Sequence, residues 1–202
     1  MKYLLIISLS LLLLSFSFPT KKPFTEFKDG DMIFHTSQSA QSGMVSLVTR
    51  SKLTHCGIVF YKNGKPMVLE AVNPVKVTSL NSWIARGKGG KYKVVRLKQE
   101  LTGSQKSAIH KYAAAQLGKK YDIKFQWSSS KMYCSELVWK AYYAAGIKLC
   151  EPSHFSDYNL SSSVVQYAIK QRYGTSINPN EKVVTPVDVY STELGKVVYD
   201  NY

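Results

Sequence analysis

The chain has 202 residues, 45% of them hydrophobic and 20% charged, which excludes a disordered, collagen-like or low-complexity polymer and predicts one globular unit. A chain of this size can bury roughly 70% of its extended surface, so three cysteines need not form a disulfide framework and no structural metal is required. Lys and Arg number 27 against 13 Asp and Glu, and the net charge of +14 favours anionic partners without naming one.

Lys2 precedes two apolar runs, Leu4 to Ile7 and Leu11 to Leu14, followed by small residues, the pattern of a secretory signal peptide expected over residues 1–17. The apolar stretch is shorter than the ~20 residues of a spanning helix, which argues against an uncleaved anchor. The expected location is therefore periplasmic or extracellular, at the cell envelope. Residues 18–29, with Pro19, Lys21, Lys22 and Pro23, read as a leader that is poorly ordered or draped over the domain. No linker or solenoid repeat divides the rest of the chain, so 30–202 is expected to be one domain.

Within it, Asp31 to His35 reads as a short strand after a Gly30 turn, and Ala40 to Arg50 as a helix with Met44, Val45, Leu47 and Val48 at compatible spacing. Leu53 to Tyr61 is rich in β-branched and aromatic residues, Asn63-Gly64 is a two-residue hairpin signal, and Pro66 to Val72 is the returning strand. Further strands are expected at Val75 to Thr78 and Tyr92 to Leu97, with a helical turn near Trp83. A helix begins at the Thr102-x-x-Gln105 capping box and stops by Gly118. A second carries Leu137, Val138, Ala141, Tyr142 and Ala145, ends at Gly146, and puts Cys134 at its start. A third is expected over Ser161 to Tyr173, then a mostly extended tail through Val183-Val184-Thr185-Pro186.

A thiol at a helix N-terminus feels the positive end of the macrodipole, which favours thiolate. Cysteine is also a common core residue, so Cys134 gains meaning as a nucleophile only with a base beside it. The hairpin register supplies one. A two-residue Asn63-Gly64 loop pairs Lys62 with Lys65, Gly57 with Glu70 and His55 with Val72. Glu70 then lies diagonally across from His55 on one face, ~7–8 Å between backbones and within side-chain reach. That face also carries Val59 and Val68, whereas Ile58, Phe60, Met67 and Leu69 fill the other. A carboxylate among apolar strands needs a partner, and His55 is the one at hand. An imidazole oriented by a carboxylate is the base a cysteine nucleophile requires.

These residues resemble the YiiX-like branch of the permuted papain-fold, NlpC-type amidases, distant relatives of lecithin retinol acyltransferase. The resemblance rests on Gly30-Asp31-Met32-Ile33-Phe34, Thr54-His55-Cys56-Gly57-Ile58-Val59, Leu69-Glu70-Ala71, Gly118-Lys119-Lys120-Tyr121-Asp122, Tyr133-Cys134-Ser135-Glu136-Leu137-Val138 and Thr185-Pro186-Val187-Asp188. Histidine precedes cysteine, the reverse of the ordinary papain order, as in the permuted group. The resemblance implies an α+β fold, a circularly permuted papain-like antiparallel sheet or open barrel of about six strands against helices. It implies Cys134 as nucleophile, His55 as general base and acid, and Glu70 as the group orienting His55. The Cys134 backbone N–H is the expected oxyanion donor, with Tyr133, Asp31 and Tyr121 as candidate substrate-binding or oxyanion neighbours.

The reaction expected is acyl transfer to water through a thioester, with cell-wall peptides and acylated small molecules both fitting as substrates. A lipid-type acyltransferase and a noncatalytic basic envelope-binding module are the alternatives on the same fold. No cofactor is expected. His35, His110 and His154 lack metal-ligand spacing with Cys56 or Cys150, so no metal site is expected either. Cys56 reads as a core thiol on the face opposite His55, with pairing to Cys150 left open, and Glu136 as a partner of the helix start and reserve carboxylate. The spread of basic residues suits a solvated face or an anionic envelope surface; nucleic acid is not an expected partner.

Overall fold

The structure is a computed structural model that describes residues 24–174 and 177–202. The expected signal peptide, 1–17, and the first part of the leader lie outside the described residues. The centre of the fold is a six-stranded antiparallel sheet built from β1 (Met32–His35), β2 (His55–Lys62), β3 (Lys65–Glu70), β4 (Lys76–Ser79), β5 (Lys93–Leu97) and β8 (Gly195–Asp200), in the order β4-β3-β2-β1-β5-β8. Around it lie α1 (Ser42–Thr49), α2 (Leu80–Ala85), α3 (Gly103–Ala114), α4 (Cys134–Ala144), α5 (Ser163–Tyr173) and α6 (Pro186–Tyr190). A small ladder pairs β6 (Ser153–His154) with β7 (Lys182–Val183).

The β2–β3 hairpin has the register expected from its turn, with Lys62 opposite Lys65 and Ile58 opposite Leu69. Asn63 and Gly64 both have positive φ, 52° and 73°, as a two-residue loop matching strand twist requires. Alternation along the strands then sorts the side chains into two packed layers. Met32, Phe34, Cys56, Ile58, Phe60 and Leu69 face a core completed by Leu137, Val138, Ala141 and Tyr142 of α4. Ile33, Val59, Val68 and Val94 face Trp83 and Leu80 of α2, together with Phe27 of the segment before β1. Phe24 and Phe27 stack in turn with Tyr199 and Tyr92, so residues 24–29 lie along this second face.

α3 begins with the expected capping box: Gln105 N–H donates to Thr102 Oγ1 at 3.2 Å, and Thr102 N–H to Gln105 Oε1 at 3.0 Å. The C-terminal region departs from the expectation of an extended tail. Thr185 caps a short helix, α6, accepting from Asp188 N–H at 3.3 Å with Pro186 in the first turn, and β8 then pairs with β5 as a sheet edge. α6 has only five residues, too few for a readable helical period, and β8 is partly exposed along its whole length, so neither binary pattern marks them.

Candidate active site

His55 opens β2 and Cys134 opens α4, and the packing of α4 against β2 brings the strand start to the helix start. His55 Nε2 lies 2.7 Å from Glu70 Oε2, with the imidazole 7% and the carboxylate 0% exposed. The carboxylate is held at its other oxygen, where Thr78 Oγ1 donates at 2.5 Å and the Arg86 guanidinium forms an ion pair. With Nε2 on the carboxylate, Nδ1 is the ring nitrogen left for Cys134, close enough for the two groups to shift each other's protonation.

The charges reinforce one another. Burial pushes the Glu70 carboxyl up, but the hydrogen bond and charge of His55, the Thr78 hydroxyl and the Arg86 charge outweigh it and bring it to about 2. Burial likewise lowers His55, yet its hydrogen bonds to Cys134 and Glu70 and their charges raise it to about 9. The Cys134 thiol is lowered well below its ordinary value, first by a hydrogen bond from the Cys56 thiol, then, against burial, by the bond and charge of His55 and by the Cys56 backbone N–H. A buried thiolate–imidazolium pair oriented by a carboxylate is the consequence, and such a sulfur can attack a carbonyl carbon at neutral pH.

His35 stands opposite His55 in the β1–β2 ladder and stacks on Trp83 with ring centroids 3.9 Å apart, while its Nδ1 is buried without a partner. Burial, then the charges of His55 and Arg86, push it to about 2, so it packs as a neutral ring beside the base. Tyr121, expected near the reaction centre, lies close enough to feel it: burial, then the charge of Cys134, pushes its hydroxyl well up and keeps it protonated.

Two other expected neighbours are corrected. Asp31 lies at the far end of β1 from His35, where Arg96 grips both carboxylate oxygens at 2.7 and 2.8 Å and Lys28 N–H donates at 2.7 Å. An aspartate directly after the Gly30 turn thus ties the leading segment to β5 rather than serving the nucleophile. Tyr133 precedes α4 in extended backbone, and its ring enters the cluster of Phe125, Phe155 and Val183, where its hydroxyl accepts from Val184 N–H at 3.2 Å. Glu136 stays at the helix start, bonded to Tyr133 N–H at 3.3 Å and Lys140 Nζ at 2.6 Å, and burial raises its carboxyl to about 7. Cys56, Cys134 and Cys150 are all free thiols.

Two hollows meet at this centre. A cleft of about 710 Å³ reaches His55 and is lined by Gln38, Gln41, Asn73, Arg86 and Tyr121. A narrow slot of about 50 Å³ reaches Cys134 and is walled by apolar side chains such as Met44, Val48, Phe155, Leu160 and Ile169. Thr54 borders both; its Oγ1 bonds Ser42 Oγ at 2.7 Å and Ser37 N–H at 2.9 Å, fixing α1 between them. Sequence reasoning missed Thr78 and Arg86, because the loop between β3 and β4 carries no tight-turn signature to set their register.

Residues 26–199 match a family model described as "Permuted papain-like amidase enzyme, YaeF/YiiX, C92 family". The uncharacterized protein YiiX of Escherichia coli (strain K12) is 43% identical over 162 residues, 80% of each chain. The crystal structure of yiiX from Escherichia coli O157:H7 superposes with a TM-score of 0.83 at 40% identity, covering 87% of this chain and 98% of that one. That relative is described as a metalloprotein; in the present chain, no group of three or more His, Cys, Asp or Glu is arranged to hold a metal among the described residues. Reversed order of histidine and cysteine, the antiparallel sheet against helices, and a match over nearly the whole described chain converge on one conclusion: this protein belongs to the permuted papain-like amidases of the YaeF/YiiX (C92) family, a family of cysteine peptidases and amidases, and is a thiol hydrolase.

Proposed function

We propose that the protein is an exported cysteine hydrolase that cleaves an amide or ester through a Cys134–His55–Glu70 triad. The observation that carries this reading is the His55 ring held 2.7 Å from a buried carboxylate, at the start of a strand packed against the helix that Cys134 opens. In it, the Cys134 thiolate attacks the carbonyl carbon, the oxyanion develops toward the Cys134 backbone N–H and the Tyr121 hydroxyl, and His55 gives its proton to the leaving amine or alcohol. The neutral imidazole then takes a proton from water, whose oxygen attacks the thioester and releases the acid. Glu70 holds the ring orientation and stabilises the imidazolium.

Peptides of the cell wall and acylated small molecules are the substrate classes considered. The roomy cleft of amide, guanidinium and hydroxyl groups on the His55 side suits a polar leaving group, and the apolar slot on the Cys134 side suits a small apolar acyl group. Export rests on the sequence of residues 1–17, and the basic net charge suits retention at an anionic envelope surface. Intact-mass analysis of the mature protein incubated with short-chain acyl esters and with wall-derived peptides tests the reading. A transient acyl adduct localised to Cys134 in the wild type, slow to form in His55→Ala and missing in Cys134→Ala, is expected. Turnover of these substrates undiminished in Cys134→Ala would overturn it.

A further inference from the structure

Glu70 turns one carboxylate to two basic partners: Oε2 bonds His55 at 2.7 Å, and Oε1 forms the ion pair with the Arg86 guanidinium. The carboxylate is fully buried, whereas the Arg86 side chain is 41% exposed and stands in the wall of the cleft that reaches His55. Arg86 caps the C-terminus of α2, its N–H donating to the Trp83 carbonyl at 3.3 Å, and Gln38 Nε2 donates to the Arg86 carbonyl at 3.2 Å, so its backbone is held on both sides. Only Nη2 has an acceptor; Nη1 and Nε have none among the described residues. The two Nη2 hydrogens belong to different edges of the planar fork, so one bond to Glu70 leaves a complete two-donor edge open. Among the described residues no carboxylate lines the cleft, and Arg86 is its one permanently charged side chain, beside the amides of Gln38, Gln41 and Asn73.

We propose that Arg86 binds a carboxylate on the leaving group, which makes the substrates amides whose amine half carries a free carboxylate: acylated amino acids and short acylated peptides with an unblocked C-terminus. The proposal rests on the hydrolase reading above, in which His55 delivers its proton to the departing amine. The cleft opens on His55 and the apolar slot on Cys134, so the amine half occupies the cleft. His55 and Arg86 hold the two oxygens of one carboxyl group, which sets the guanidinium on the order of one to three residues of extended chain from the departing nitrogen. Acylation breaks the C–N bond and forms the thioester; the proton from His55 goes to the nitrogen, and the carboxylate on Arg86 stays ionised throughout. An edge of two N–H donors matches the two oxygens of a carboxylate, whereas a carboxamide turns its own N–H donor against one of them.

The test is a series of butanoyl amides of glycine, diglycine and triglycine, each as the free acid and as the C-terminal carboxamide. In the wild type, kcat/KM for the acid is expected to exceed that for its carboxamide by roughly 10–100-fold at one length or more, mostly through KM. Arg86→Gln and Arg86→Lys slow both substrates by loosening Glu70, so the readout is the acid-to-carboxamide ratio within each protein. That ratio should fall to about one in Arg86→Gln and by several-fold in Arg86→Lys, which keeps the charge without the fork. Equal rates for acid and carboxamide at all three lengths in the wild type would overturn the carboxylate site. So would a preference that Arg86→Gln retains, because the overall positive charge would then be its source; Arg86→Lys decides this, by an undiminished ratio, if the glutamine variant does not fold. If no member turns over while acyl esters still form the Cys134 adduct, the carboxylate site alone is overturned. If the adduct is missing as well, the site falls together with the triad reading.

Discussion

Gly57 and Glu70 lie side by side on β2 and β3, so a side chain at 57 would press on Glu70 at the root of the side chain that bonds His55. A Cβ on Gly57 would stand 2.5 Å from Val68 Cγ1, 3.0 Å from the Leu69 carbonyl oxygen and 3.4 Å from Glu70 Cβ. Backbone and a short branched side chain give little room to yield. Gly57→Ala is expected to cost roughly 1–3 kcal/mol in denaturant unfolding and to slow hydrolysis by displacing Glu70 from His55. Unchanged stability with unchanged rate would show that the hairpin absorbs the methyl group.

Cys134 and the Glu70 carboxylate together set the upper edge of the active pH range. His55 is raised from 6.5 to about 9, so the imidazolium persists through neutrality, and the leaving group loses its proton donor only as pH rises through about 9. kcat/KM is expected to fall on an alkaline limb near that value. Glu70→Gln removes the negative charge that favours imidazolium, so the limb should move down toward 6.5 and the rate should drop by roughly 10²–10⁴-fold. An alkaline limb that stays in place in Glu70→Gln would contradict the orienting role.

The same group makes a stability prediction. Glu70 is lowered from 4.5 to about 2 in the folded protein, so below 4.5 the unfolded chain takes up the proton first. Its contribution, ~3 kcal/mol for a carboxylate with no exposed surface, is present above pH 4.5 and is lost as pH falls through about 2. The stability difference between wild type and Glu70→Gln, measured by urea unfolding, should narrow by about that amount between pH 6 and pH 2. A difference independent of pH would place the carboxylate outside any charged interaction.

Asp31 provides a control for the correction made by the structure. It is 1% exposed and gripped by Arg96, so Asp31→Asn is expected to cost about 3 kcal/mol of stability. The alkylation midpoint of Cys134 should not move in the folded variant, because Asp31 sits at the opposite end of β1 from His35. A shifted midpoint would return Asp31 to the reaction centre.

The apolar slot predicts selectivity. Val48 is half-buried on its wall, and Val48→Trp should discriminate by roughly tenfold or more against esters with bulkier acyl groups while sparing changes in the leaving group. Equal loss across both series would show that the slot does not receive the acyl group.

Much of this site is legible in the sequence because short-range rules fix it. Asn63-Gly64 allows one register, that register puts Glu70 diagonal to His55, and the apolar spacing of Leu137, Val138 and Ala141 fixes a helix that starts at Cys134. Residues that depend on long-range packing are not legible. Arg86 reaches Glu70 from the end of α2, and Thr78 from β4 in a register no tight turn announces. Asp31 misleads because a motif neighbour in sequence becomes the far end of a strand in space.

The proposed triad requires that His55 hold Cys134 as a thiolate in the resting protein, and the pH dependence of Cys134 alkylation in wild type and His55→Ala measures this directly. Fast labelling that persists well below the free-thiol pKa of about 8.5 in wild type, and is slowed near neutrality in His55→Ala, is the predicted result. Slow labelling in the folded protein, following an ordinary thiol titration and indifferent to His55, would contradict it.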